Sequence, residues 1–181
     1  VINLIVVMIT ITVTFGGVFT KLNQFISPPT LPIEYTRYAD PANICHGNIV
    51  GDCMKGNLNS DREVLVLGDS HAAMLNHFFD YLGRELNFKA RVISASSCVT
   101  IPRFDYQRLE GWAQKPCLSQ IEQATKYIAS AELVFIAASW RYQMQSEDFN
   151  IALQAFLGDM NRQDKLVYLM PQVAELHKNP L

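Results

Sequence analysis

Glu63-Val64-Leu65-Val66-Leu67-Gly68-Asp69-Ser70-His71-Ala72-Ala73-Met74-Leu75 is an apolar, β-branched run that enters Gly-Asp-Ser-His and leaves it on a helix-compatible pattern. The stretch reads as strand, tight turn, helix. Ser70 then sits at the helix N-terminus, where backbone N–H groups lack intrahelical partners and the macrodipole adds partial positive charge. That environment suits a nucleophile whose attack creates an oxyanion. A second reading stands beside it, with Ser70 as a helix N-cap and Asp69 as a turn residue.

Outward from this stretch the pattern stays regular. A buried strand is expected over 64–67 and a helix over 72–86, with apolar residues at 74, 75, 78, 79 and 82. A second strand follows over 90–95, then a loop with Cys98 and Pro102. Helices over 118–130 and 148–161 alternate with strands over 133–138 and 165–170, the last ending before Pro171. Continuously apolar strands alternating with amphipathic helices predict βαβ units and a parallel sheet covered on both faces. Right-handed crossovers make that a doubly wound, three-layer α/β/α fold. The reactive site of such a sheet lies beyond the carboxyl ends of its strands. Ser70, Ser96 and Ser97, Ser139 and Trp140, and Pro171 all fall there and are expected to share one rim.

The region ahead of residue 63 has a different character. Residues 34–62 are polar and rich in turn formers, including Gly47, Gly51 and Gly56, and read as an irregular lead-in. Ser27-Pro28-Pro29-Thr30-Leu31-Pro32 is a stiff, extended linker. Residues 1–20 contain no ionisable side chain. About 20 apolar residues, at ~1.5 Å each, match the ~30 Å of hydrocarbon in a bilayer, so a single transmembrane helix is expected. A cleaved signal peptide would show a basic start and a shorter apolar stretch; a buried strand pair is the remaining alternative. The sequence does not begin with Met, which fits a chain cut from a longer one. The organisation expected is therefore a span over 1–20, a linker and lead-in over 21–62, and an α/β domain over 63–181.

Cysteines at 45, 53, 98 and 117 lack any Cys-x-x-Cys spacing. An even count beyond a membrane span points to disulfides in an oxidising compartment. Cys45–Cys53 and Cys98–Cys117 is the simplest pairing, with free buried thiols as the alternative. Span and cysteines together put the globular part outside the cytoplasmic membrane, in a periplasmic or other extracytoplasmic space. A net charge of −2 among 181 residues gives no electrostatic case for nucleic acid. The four histidines and the carboxylates show no metal-ligand spacing, and no cofactor is expected.

Gly68-Asp69-Ser70-His71 after a hydrophobic strand resembles the first block of the SGNH (GDSL-type) hydrolases. With the preceding apolar segment and Pro-rich linker, the chain is similar to SGNH domains fused to the C-terminus of bacterial membrane acyltransferase-3 proteins. Those proteins O-acetylate surface polysaccharides such as lipopolysaccharide O-antigen. Supporting stretches are Ser94-Ala95-Ser96-Ser97-Cys98, Val134-Phe135-Ile136-Ala137-Ala138-Ser139-Trp140 and Leu169-Met170-Pro171. The resemblance implies an SGNH-hydrolase-like, flavodoxin-like sheet and an O-acyltransferase working through an acyl-serine on Ser70. It further implies a polysaccharide acceptor, a membrane setting and an acyltransferase domain N-terminal in the same polypeptide.

Ser70 would supply one oxyanion N–H and the loop around Ser97 another. The family's third donor is commonly an Asn after the third strand, where this chain has Ser139-Trp140-Arg141. Its base comes from an Asp-x-x-His motif near the C-terminus. None of His46, His71, His77 and His177 has Asp three positions earlier; those positions hold Asn43, Gly68, Met74 and Ala174. His177 is the nearest match, with a solvated loop histidine as the other reading, and the expectation is that the base lies beyond the end of this sequence. His71 is expected to order the turn, and His46 and His77 to be surface or packing residues. Trp112, Trp140, Arg141 and Tyr142 read either as a sugar platform or as core packing. A membrane-anchored esterase or deacetylase, and a carbohydrate-binding module without a base, are the alternatives to acyl transfer.

Overall fold

In a computed structural model, the structure describes residues 43–172. The expected span over 1–20, the Pro-rich linker and His177 lie outside the described residues. Among the described residues no helix is long and apolar enough to cross a membrane.

Among the described residues five strands form one sheet: β1 Met54–Gly56, β2 Glu63–Gly68, β3 Lys89–Ser94, β4 Leu133–Ala137 and β5 Leu166–Leu169. Five α-helices accompany them among the same residues: α1 Ser70–Met74, α2 Asn76–Glu85, α3 Gly111–Ile128, α4 Trp140–Gln143 and α5 Glu147–Arg162. The strand order is β1-β3-β2-β4-β5, parallel throughout except for β1, which runs antiparallel to β3. This mixed α/β architecture fits an SGNH-like fold. The all-parallel expectation needs one correction, because the lead-in read as irregular contributes β1. Met-Lys-Gly carries no periodic signal, and its pairing comes from the backbone groups that the edge of β3 offers.

Alternate residues of the central strands feed two cores, as the period of two in a strand requires. Leu65, Leu67, Val134 and Ile136 pack with Ile121 and Ala124 of α3 and Phe149 and Phe156 of α5. Val64, Val66, Ala90 and Val92 pack on the opposite face with Ala72 and Phe79. Burying each large aliphatic side chain contributes about 1.5–3 kcal/mol, which is why the sheet centre is insensitive to the poor propensities around it. Coverage is uneven. Only the β2-to-β3 crossover runs on the α2 face, since α3 and α5 both lie on the other. Leu166 and Tyr168 are consequently exposed on the α2 face, with Phe135 stacked on Tyr168. The expectation of full cover on both faces thus fails at β5 among the described residues.

Two helix boundaries differ from expectation for identifiable reasons. The helix over 72–86 is broken at Leu75, where the buried Asn76 amide donates to the Ala73 carbonyl at 2.8 Å and competes for a helix acceptor. The helix expected over 118–130 begins at Gly111 instead. Pro116 lies in its second turn, where it removes one helix hydrogen bond yet does not end the helix. Ser146 caps α5 by accepting from Phe149 N, and Glu147 and Asp148 follow in its first turn.

Strand register sets the rim. Gly68 lies beside Ser94 of β3 and Ala137 of β4, so three carboxyl ends finish level. Gly68 has φ +151°, and a Cβ placed there would come 1.8 Å from Ala137 O and 2.9 Å from the Ala72 Cβ. Both neighbours belong to the packed frame and cannot yield. Gly68→Ala should therefore lose more than about 3 kcal/mol or fail to fold, measured by urea denaturation or by recovery of protease-resistant protein. Cys98 is bonded to Cys117, closing a separation of 19 residues between the β3 rim and α3, and Cys45 to Cys53. Replacing Cys98 and Cys117 together by Ala should lower stability by about 3 kcal/mol from the loop-closure term, read as a lower urea midpoint.

Candidate active site

The turn after β2 is organised by Asp69. It is the residue before α1, extended at φ −89° and ψ −150°, and its Oδ1 accepts from His71 N at 2.9 Å. Asp69 is thus the helix N-cap, and Ser70 is the first helical residue. This separates the two readings of the motif: the cap role falls to Asp69 and leaves the Ser70 hydroxyl uncommitted. No hydrogen bond among the described residues engages that hydroxyl, and Ser70 is only half-buried. Its own N–H lies in the first turn, where helical donors have no internal partner.

Asp69 is 1% exposed, and a buried carboxylate is costly without donors. It has four. Oδ1 also receives His71 Nδ1 at 3.1 Å, while Oδ2 receives Ser139 N at 2.8 Å and the Gln143 amide at 2.9 Å. The Gln143 amide donates as well to Ser97 O at 3.2 Å. One side chain thereby ties the Ser70 turn to the loop after β3. Ala95 N adds a backbone link to Gly68 O at 3.4 Å. Arg108 extends the network, donating to the Gln143 side-chain carbonyl and forming an ion pair with Asp105 at 2.8 Å.

The residues expected at the rim fare differently. Ser97 is exposed in a tight turn with φ +57°, closed by Cys98 N donating to Ala95 O at 3.3 Å. Among the described residues nothing accepts the Ser97 N–H. Trp140 reaches the rim, but its backbone N–H donates to Ala138 O at 2.9 Å and its indole N–H to Met170 O at 2.7 Å. Ser139 N is held by Asp69. The end of β4 therefore offers no open N–H at Ser139 or Trp140, and these groups brace the site instead.

Sequence reasoning did not find Gln143 or the rim position of His46. His46 was expected at the surface or in packing; its Nδ1 lies 3.0 Å from Ser94 Oγ and its Nε2 3.1 Å from Ser96 Oγ. Burial pushes its imidazole below the ordinary value, and the Asp69 charge opposes that shift. His77 is exposed on α2. Trp112 is exposed at the start of α3, while Tyr142 lies 5.0 Å from the Arg108 guanidinium. Among the described residues no group of three or more His, Cys, Asp and Glu side chains could hold a metal ion.

Removing the Gln143 amide would leave Asp69 Oδ2 and Ser97 O each short of a donor in a buried setting. Gln143→Leu should destabilise the domain by about 1–3 kcal/mol, seen as a lower denaturation midpoint with an unchanged slope.

A family model described as SGNH domain (fused to AT3 domains) matches residues 37–180. No curated protein and no solved structure matches the chain.

Proposed function

The chain belongs to the family of SGNH domains fused to AT3 domains, and on that premise we propose that it is the acyl-transfer domain of a membrane-anchored polysaccharide O-acetyltransferase. A hydrolase-like or acyltransferase-associated activity follows from the family itself. The acceptor, the membrane anchor over 1–20 and the extracytoplasmic location are part of the proposal. They draw support from the ion-free N-terminal stretch and from the two disulfides.

The observation that carries the reading is the freedom of the Ser70 hydroxyl at a helix N-terminus whose capping is done by Asp69. Ser70 Oγ attacks the carbonyl carbon of an acetyl donor and its proton leaves to a base. The carbonyl oxygen becomes an oxyanion facing the Ser70 and Ser97 N–H groups, a class of contact worth about 10²–10³ in rate per donor. Collapse expels the donor's leaving group, which takes the proton from the base, and leaves acetyl-Ser70. A sugar hydroxyl then attacks as the base takes its proton, and collapse of the second oxyanion releases the O-acetyl ester while the base returns the proton to Ser70 Oγ.

The described histidines are engaged elsewhere or exposed to solvent: His71 on Asp69, His46 on Ser94 and Ser96, and His77 on the exposed side of α2. The reading therefore assigns the base to a histidine outside the described residues, a set that includes His177. The acetyl group comes to Ser70 from the AT3 domain of the same polypeptide.

Full-length protein given an acetyl donor and the polysaccharide should form O-acetylated product, and Ser70→Ala should lower the rate by more than about 1,000-fold. Product formation by the Ala variant at the wild-type rate would overturn the role of Ser70. Acetate release that is indifferent to added polysaccharide would replace the transferase with an esterase.

A further inference from the structure

His46 comes from the disulfide-stapled segment ahead of β1, yet its ring sits between the last residue of β3 and the loop that carries Ser97. The proton positions follow from counting donors. Ser94 Oγ has one hydrogen and donates it to the Cys45 carbonyl at 3.1 Å. It must then accept from His46 Nδ1–H at 3.0 Å. A neutral imidazole protonated at Nδ1 is an acceptor at Nε2, so the Ser96 hydroxyl donates to that nitrogen at 3.1 Å. The result is one directed chain: Ser96 hydroxyl, His46 ring, Ser94 hydroxyl, Cys45 carbonyl.

The backbone fixes the near end of this chain. Gly47 N donates to Ser94 O at 2.8 Å, and Ser94 N to Cys45 O at 3.2 Å, beside the Cys45–Cys53 bond. The far end of the loop is held by Cys98, bonded to Cys117 in α3. Between these anchors Ser97 adopts φ +57°. That left-handed conformation is unfavourable for a non-glycine residue and persists only where neighbours impose it. The neighbours that impose it are the Gln143 amide, which holds Ser97 O, and His46, which holds the Ser96 side chain.

We infer that His46 is a positioning residue for acyl transfer: by clamping Ser96 to Ser94 it fixes the Ser97 N–H as an oxyanion donor. The chemical consequence rests on the acyl-Ser70 reading, whereas the clamp itself can be tested without it. The disulfide-stapled segment then has a function beyond stability, because it carries the residue that sets the donor loop.

In the full-length protein, His46→Ala and Ser96→Ala should each lower kcat for 4-nitrophenyl acetate about 10- to 100-fold, with KM changed less than about twofold. The double variant should be no slower than the worse single variant, since both remove one clamp. His46→Gln, whose side-chain carbonyl can accept from Ser96, should recover part of the loss. Amide hydrogen exchange at Cys98, whose N–H closes the turn on Ala95 O, should quicken in His46→Ala and Ser96→Ala while that of β2 and β4 stays as in the wild type. Additive rate losses, or Cys98 exchange unchanged in both single variants, would overturn the inference. Wild-type turnover that survives Ser70→Ala would sink the acyl-serine reading alone, and the exchange result would still decide the clamp.

Discussion

The site depends on one buried carboxylate. Asp69 has almost no contact with solvent and meets its demand for donors by drawing in His71 from α1, Ser139 from the end of β4 and Gln143 from α4. The turn that presents Ser70 is therefore fixed to the stretch 139–143, which lies 70–74 residues further along the chain. In a low-dielectric setting such hydrogen bonds are strong, and an unmade one is correspondingly costly. The network is therefore close to all-or-none, which suits the role proposed for Ser70.

The sheet makes that arrangement attainable. Level carboxyl ends of β2, β3 and β4 bring the turn after β2, the loop after β3 and the start of α4 to one rim. Gly68 is the point of closest approach, because the carbonyl of Ala137 occupies the space of a side chain. The disulfides act outside this centre. Cys98–Cys117 ties the loop after β3 to α3, and Cys45–Cys53 holds the segment that brings His46 to β3. The site is thus braced by covalent bonds at its periphery and by a carboxylate at its middle.

Much of the frame was legible in the sequence, for a physical reason. Strands buried on both faces are apolar without interruption, so 64–67 and 133–138 could be read without tertiary information. Short elements were not legible. Met54–Gly56 has no periodicity and owes its existence to pairing with β3, while Trp140–Gln143 is four residues long and is defined by what Gln143 touches. The first turns of α3, from Gly111, were not legible either: Pro116 lies within them and removes one helix hydrogen bond without ending the helix. At the site, Ser70 was legible because strand, turn and helix surround it locally. The division of labour between Asp69 and Ser70 was not, since both residue types cap helices well. His46 and Gln143 act across 48–50 and 46–74 residues respectively, and no local pattern reports contacts of that range.

We propose Ser70, freed from capping by Asp69, as the reactive nucleophile of this domain. Treating the full-length protein with a fluorophosphonate and mapping the adduct by peptide mass spectrometry tests this. Covalent phosphonylation of Ser70 is expected, with Ser96, Ser97 and Ser139 unmodified. Labelling of another rim serine, with Ser70 untouched, would contradict it.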